Sequence, residues 1–372
     1  MLRSILLLPV LLLCVACGGT SGTSTNFVSV PSSPLAHLFT GEYVSIGVRG
    51  IHDGGPEEFA TSWGTVRGDG IRSTMTITHR NRLGNIVFGT GGSGSDYAVE
   101  ADRRMTLESP FAGLEYEQGA ISETGDLAVL AAAHGGSAPT IQLLGKPTPG
   151  MDDASLNGWW RYCAFGARVA GASNIARWGT INFDGAGGAT AWINQNEEGV
   201  LFGPAGTNAT YALASDGRMS LRFVGEPELS GALVADGGAM LFAGGVSPGD
   251  DPWLVVVMPL TVGLSDADLD GTYRMVGIEQ FVGSSEYRSF IGGLHADGLG
   301  NVDFDGLQIH EYELTGQAGG SGTYTLAGDG ELNLTPTGLS TLVGGMTQDG
   351  KFGVFTGPAG PGANPALYVL LR

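Results

Sequence analysis

Lysine is almost missing from this chain. Of 18 basic residues only Lys146 and Lys351 are lysines, and the basic set faces 37 Asp and Glu for a net charge of −19. So acidic a chain repels phosphate backbones, which clustered Lys and Arg must neutralise, and nucleic acid is disfavoured as a partner. Charged residues of both signs reach only 15%, below the usual quarter, so the charged stripes of surface helices are hard to draw. Cysteine is equally scarce: Cys14 and Cys17 sit at the N-terminus and Cys163 stands alone, which leaves the body of the chain without a disulfide. No Gly-x-Ser-x-Gly elbow occurs, so acyl transfer lacks its most readable signal. His37, His52, His79, His134, His295 and His310 show no i, i+2 or i, i+4 pairing, whereas zinc needs at least three converging ligands.

What is present begins with an address. Arg3, the apolar stretch from Ile5 to Leu13 and Ala16 before Cys17 make the three parts of an export signal. An apolar stretch this short, broken by Pro9, cannot span a bilayer. Val15-Ala16-Cys17 resembles the end of a bacterial lipobox, although Cys14 stands where such boxes carry an aliphatic residue. The resemblance implies a lipoprotein signal peptide over 1–17 ending at Cys17, whose sulfur takes a diacylglyceryl group. The partner it implies is a membrane, held through the N-terminal lipid. Gly18 follows where inner-membrane lipoproteins often carry Asp, so the same resemblance points to the outer membrane. Residues 18–34, rich in Gly, Ser and Thr, read as a flexible tether.

Beyond the tether a pattern of about 113 residues is written three times. A Gly-x-aromatic step opens the copies at Tyr43, Trp160 and Tyr273, and a proline before an apolar run closes them at Pro139, Pro252 and Pro365. The repeats are placed at 35–149, 150–262 and 263–372. Glycine, at 64 of 372 residues, marks tight turns between short strands. Asp-Gly turns are expected at Asp69, Asp184, Asp216, Asp236, Asp297, Asp329 and Asp349, of type I′ with both central residues at positive φ. Alternation is clear after the second turn, where Met219, Leu221 and Phe223 should face inward. Cys163 aligns with Ile46 and Val276 and reads as a buried apolar residue.

The fold class is therefore all-β: three tandem antiparallel up-and-down β-barrel-like units of about eight strands. Closing each unit removes its sheet edge, and each copy of roughly 100 residues should fold alone. Leu156-Asn157-Gly158-Trp159-Trp160, Leu269-Asp270-Gly271-Thr272-Tyr273 and the terminal Leu370-Leu371-Arg372 resemble the first and last strands of the calycin group, lipocalins and avidins. Copies one and two have no equivalent of Arg372. The alternative is one six-bladed β-propeller, with two four-stranded blades per copy.

No cofactor motif survives inspection. Gly89-Thr90-Gly91-Gly92-Ser93-Gly94 matches a dinucleotide fingerprint, but Asp96-Tyr97-Ala98-Val99 reads as a strand, not the helix that would hold a pyrophosphate. Asp266, Asp268 and Asp270 repeat the opening of a calcium loop, yet Gly277 stands where the bidentate Glu belongs, and a solvated acidic linker is the alternative. Trp159, Trp160, Trp178, Trp192 and Trp253 all fall in the second copy. Trp178 aligns with Trp63 and reads as scaffold. Trp159, Trp192 and Trp253 are unshared and form the candidate ligand-binding set, with dense core packing as the alternative. The expected function is non-enzymatic: a cell-envelope lipoprotein that binds or scaffolds a glycan, a lipid or an envelope protein. The alternative is an envelope polysaccharide hydrolase, whose carboxylate pair spacing alone does not identify.

Overall fold

The computed structural model describes residues 33–51, 58–82, 84–90, 94–108, 116–132, 138–169, 173–245, 247–282, 286–310, 313–357 and 362–372. The export signal, Cys17 and the tether as far as residue 32 lie outside them.

Three antiparallel barrels follow one another, and the propeller alternative is not adopted. The second contains β10 (Gly158–Ala167), β11 (Asn174–Phe183), β12 (Gly188–Glu197), β13 (Val200–Leu213), β14 (Arg218–Phe223), β15 (Glu228–Val234), β16 (Ala239–Gly244) and β17 (Trp253–Pro259). The third contains β18 (Asp270–Gln280), β19 (Tyr287–Asp297), β20 (Asn301–His310), β21 (Glu313–Leu326), β22 (Glu331–Pro336), β23 (Leu342–Met346), β24 (Phe352–Gly357) and β25 (Ala366–Leu371). Both close as up-and-down meanders, β10 on β17 and β18 on β25.

The first barrel contains β1 (Thr40–Ile51), β2 (Glu58–Asp69), β3 (Arg72–Arg82), β4 (Asn85–Thr90), β5 (Gly94–Val99), β6 (Arg104–Glu108), β7 (Tyr116–Ile121), β8 (Leu127–Ala132) and β9 (Thr140–Gly145). Its fourth strand comes in two pieces: β3 pairs with β4 at one end and β5 at the other, where β13 and β21 run unbroken. β9 returns to β1 and closes the ring. Of the glycine-rich motif, Gly89 and Thr90 end β4 and Gly94 begins β5, while residues 91–93 lie outside the described residues; β5 rather than a helix follows it.

The turns differ from the type I′ expectation. Asp236 and Gly237 do both take positive φ, but at Asp216-Gly217, Asp329-Gly330 and Asp349-Gly350 only the glycine does. There the aspartate carboxylate accepts from the N–H two residues on, at Arg218, Glu331 and Lys351. That side-chain bond holds aspartate at negative φ and leaves the left-handed residue to glycine.

Each barrel has its own inner core. Met105 and Leu107, then Met219, Leu221 and Phe223, and Leu332 with Leu334 all face inward as the alternation predicts. One end of each barrel is sealed by a short 3-10 turn, Ala36–Leu38, Asp153–Leu156 or Asp266–Asp268. An equivalent tyrosine fastens each turn: Tyr97 donates to the carbonyl of Phe39 (2.9 Å), Tyr211 to Asp153 (3.1 Å) and Tyr324 to Leu269 (2.8 Å).

A fourth core lies between the barrels. Ile46, Leu143, Cys163, Leu241, Val276 and Val369 point outward from their own barrels, and all are fully buried against neighbours. The packing is cyclic: β1 lies on β16 and β17, β10 on β24 and β25, and β18 on β8 and β9. An ion pair marks each junction, Arg218–Glu42 (3.1 Å), Arg161–Glu331 (2.8 Å) and Arg274–Asp102 (2.9 Å). At one end of the shared core three register-equivalent residues meet. Phe59 packs on Tyr287 with ring centroids 5.7 Å apart, and Tyr287 donates to Oδ1 of Asn174 over 2.6 Å.

Candidate functional site

Strand parity sorts the three candidate tryptophans. Trp159 on β10 and Trp192 on β12 point away from the second barrel's interior, are 46% and 45% exposed, and pack with ring centroids 5.4 Å apart. Trp253 on β17 points inward and is buried. Its indole lies 4.4 Å under the Arg177 guanidinium, which Glu226 grips at 2.9 and 3.0 Å. Burial alone would lower the Arg177 pKa; the Glu226 bonds outweigh it and hold the group above its ordinary value. Two members of the expected set thus come together, and the third does not.

Beside the exposed pair runs a groove of about 350 Å³ between the second and third barrels. Trp178, which the repeat alignment assigns to scaffold, shares its wall with Trp192. Arg161 lies on the same sheet face, in one row with Thr180 and Trp192, and Glu331 and Asn333 come to the groove from β22 of the third barrel. Arg161 is buried and bridges to Glu331 at 2.8 Å and Asp329 at 3.2 Å, while Asn333 donates to the other Glu331 oxygen at 3.2 Å. Asn194, two residues along β12 from Trp192 and paired with Trp178, lines the same groove.

The larger opening lies at the unsealed end of the third barrel, a cavity of about 560 Å³. Met275, Phe290, Phe304, Leu334 and Leu342 line its apolar part. Its polar part is a triad from three adjacent strands: Glu279 on β18 pairs with Arg288 on β19, and the Tyr368 hydroxyl on β25 donates to Glu279 over 2.6 Å. Burial pushes the Tyr368 pKa well above 10, and the Glu279 charge adds to it, so the phenol keeps its proton. Tyr368 reaches this position by lying over Gly277, where an added Cβ would come within 2.0 Å of its ring.

The repeats explain why this cavity is the larger one. Register aligns the pair Glu279–Ala366 with Gly166–Trp253 in the second barrel and Arg49–Thr140 in the first. In the second the indole, stacked under Arg177, fills part of the mouth and leaves a cavity of about 360 Å³; in the third Ala366 leaves the indole's place empty and Glu279 supplies a charge. The first retains only about 20 Å³, beside Arg49, Arg80, Glu117 and Gln142. Sequence reasoning missed Glu279, Arg288, Tyr368 and Ala366. Their signal was a carboxylate that continues the inward row of Tyr273, Met275 and Gly277, opposite the small residue that replaces a tryptophan.

The other residues singled out from the sequence also make structural contacts. Asp266 accepts from Leu326 N–H at 2.6 Å and Asp268 from Ser265 N–H at 2.8 Å, bonds that cap the 3-10 turn and anchor β21 to it. No group of three or more His, Cys, Asp or Glu able to hold a metal occurs among the described residues. Glu117 and Glu279 are the buried carboxylates among those residues, and they belong to different barrels. Cys163 is fully buried in the shared core, and burial pushes its thiol up to about 12.

No family model matches the sequence, and no curated protein matches it. Among solved structures the chain is similar to isotype 1 transferrin binding protein B from serogroup B Neisseria meningitidis. The identity is 8% and the TM-score 0.26, over 89% of this chain and 76% of that chain. So distant a likeness bears on neither ligand nor partner.

Proposed function

We propose that this is a non-enzymatic binding protein of the bacterial cell envelope, tethered to the outer membrane through lipid on Cys17, whose third barrel holds a small amphipathic molecule. The observation that carries the reading is the cavity of about 560 Å³ that joins an apolar chamber to the Glu279–Arg288–Tyr368 triad. Its volume falls within the roughly 300–1,000 Å³ usual for small-molecule sites, as does the mix of apolar walls with a few fixed polar groups. The apolar body of a ligand would sit among Met275, Phe290 and Phe304. Its head would meet the triad, in which Glu279 and Arg288 cancel each other's charge, so a neutral or zwitterionic hydrogen-bonding head fits best.

The test is titration with an environment-sensitive naphthalene fluorophore, followed by displacement with single-chain lipids. Ala366→Trp, which restores the plug of the second barrel, should weaken binding at least about tenfold. Binding that ignores this substitution would remove the third barrel as the site. The tether has its own readout: labelled palmitate should enter the wild-type protein and not Cys17→Ser, because a serine hydroxyl cannot replace the thiolate nucleophile.

A further inference from the structure

We propose that the groove between the second and third barrels is a second, separate site that binds a neutral sugar chain. Four observations converge on it. Trp159 and Trp192 are large aromatics left nearly half exposed on a sheet face, although the same chain buries Trp253 and Trp160. Exposed apolar surface gathered in one place marks contact with something else.

The pair is also not part of the repeat's scaffold. At the register-equivalent positions the third barrel carries Thr272 and Asp305, and the first carries Glu42 and Thr76. Nothing in barrel construction demands tryptophan there. Across β13, moreover, Gly206 faces Trp192, so no side chain from that strand covers the indole.

The rest of the lining has the complementary chemistry. A pyranose presents C–H groups on its faces and hydroxyls around its rim, so it needs an aromatic floor and an edge of fixed donors and acceptors. Trp178 and Trp192 supply the floor. Arg161, Glu331 and Asn333 supply the edge, already oriented by their mutual hydrogen bonds, which lowers the ordering cost of binding. Trp159, its ring tilted 34° against that of Trp192, extends the platform beyond the groove for a second ring.

Charge selects among sugars. Arg161 is outnumbered by Asp329 and Glu331 in direct contact, and the whole chain carries −19. An anionic polysaccharide would be repelled, as would an anionic lipid surface. A neutral hexose or N-acetylhexosamine chain meets no such penalty.

Short oligomers of glucose, galactose, mannose and N-acetylglucosamine should be titrated against the intrinsic tryptophan fluorescence of the whole protein. The expected result is a saturable change with at least one of them, weakened at least about tenfold in Trp192→Ala and in Asn333→Ala. The same response should persist in Ala366→Trp, which separates this site from the third-barrel cavity. Thermal unfolding of each variant shows whether it is folded, and Asn333→Ala decides the matter if Trp192→Ala is not. No saturable response to any of the sugars would overturn the proposal. So would a response unchanged in both variants, or binding to phosphatidylcholine vesicles in place of sugars, which would assign the tryptophan face to a membrane.

Discussion

The indole of Trp253 lies across Gly166 so closely that a Cβ at that glycine would sit 2.4 Å from the ring. Strand pairing puts the two residues opposite each other, and the absent side chain makes room for the stacked Trp253–Arg177 plug. Removing the indole therefore opens a hole in a packed core and takes the aromatic face from a buried guanidinium. Trp253→Ala should cost about 3–5 kcal/mol. Trp159→Ala and Trp192→Ala, on a half-exposed face, should stay within about 1 kcal/mol. Urea unfolding of the three variants checks the contrast, and equal losses would contradict the assignment of faces.

Alkaline pH should unfold the protein through its tyrosines. Tyr43, Tyr97, Tyr162, Tyr211, Tyr273, Tyr324 and Tyr368 are all raised above the ordinary value of 10.0, with burial the largest cause in each, and Tyr97 reaches about 12. Above pH 10 the unfolded chain releases these protons while the folded chain keeps them. Stability is then fully present below pH 10 and falls as pH rises through 12. Ionised tyrosines would also lose the bonds that Tyr43 and Tyr273 donate to the turn carbonyls of Gly125 and Gly350. Phenolate absorbance should show only a minority of the 10 tyrosines titrating near pH 10 until circular dichroism reports unfolding. Most of them titrating there in a native spectrum would refute it.

Much of this architecture was legible because local chemistry decides it. Glycine at Gly217, Gly330 and Gly350 is required where φ is positive, and the two-residue alternation of Met219, Leu221 and Phe223 needs one buried face. The shared core was harder to see, although Leu127–Ala132 and Ala239–Gly244 are apolar on both faces. A continuous run says that both sides of a strand are covered, but not by what. The tryptophans divide between two faces for a related reason. Trp159 and Trp253 are equally unshared by the repeats, and a shift of one residue in register exchanges interior for exterior. The third-barrel triad depends on closure, since Glu279 and Tyr368 are brought together only when β18 pairs with β25.

The shared core bears on whether a repeat can live alone. Residues 263–372 keep an intact inner core, from Tyr273 to Leu370, and a full ring of hydrogen-bonded strands. Excision, however, uncovers Val276, Ile278, Val354, Leu367, Val369 and Leu371, all at or near zero exposure in the whole chain. Burying one such side chain is worth about 1.5–3 kcal/mol, so the freed face should drive self-association rather than unfold the barrel. Arg274 would lose Asp102, and Tyr287 would lose both Phe59 and Asn174. The fragment should therefore show a cooperative thermal transition by circular dichroism while sedimenting as oligomers. Val276→Thr, Val369→Thr and Leu371→Thr together, all on the outer face, should shift it toward monomer and leave the inner core alone. A fragment that is monomeric without those substitutions would mean that the interface between barrels contributes little, and that three independent barrels describe the molecule better than one ring of three.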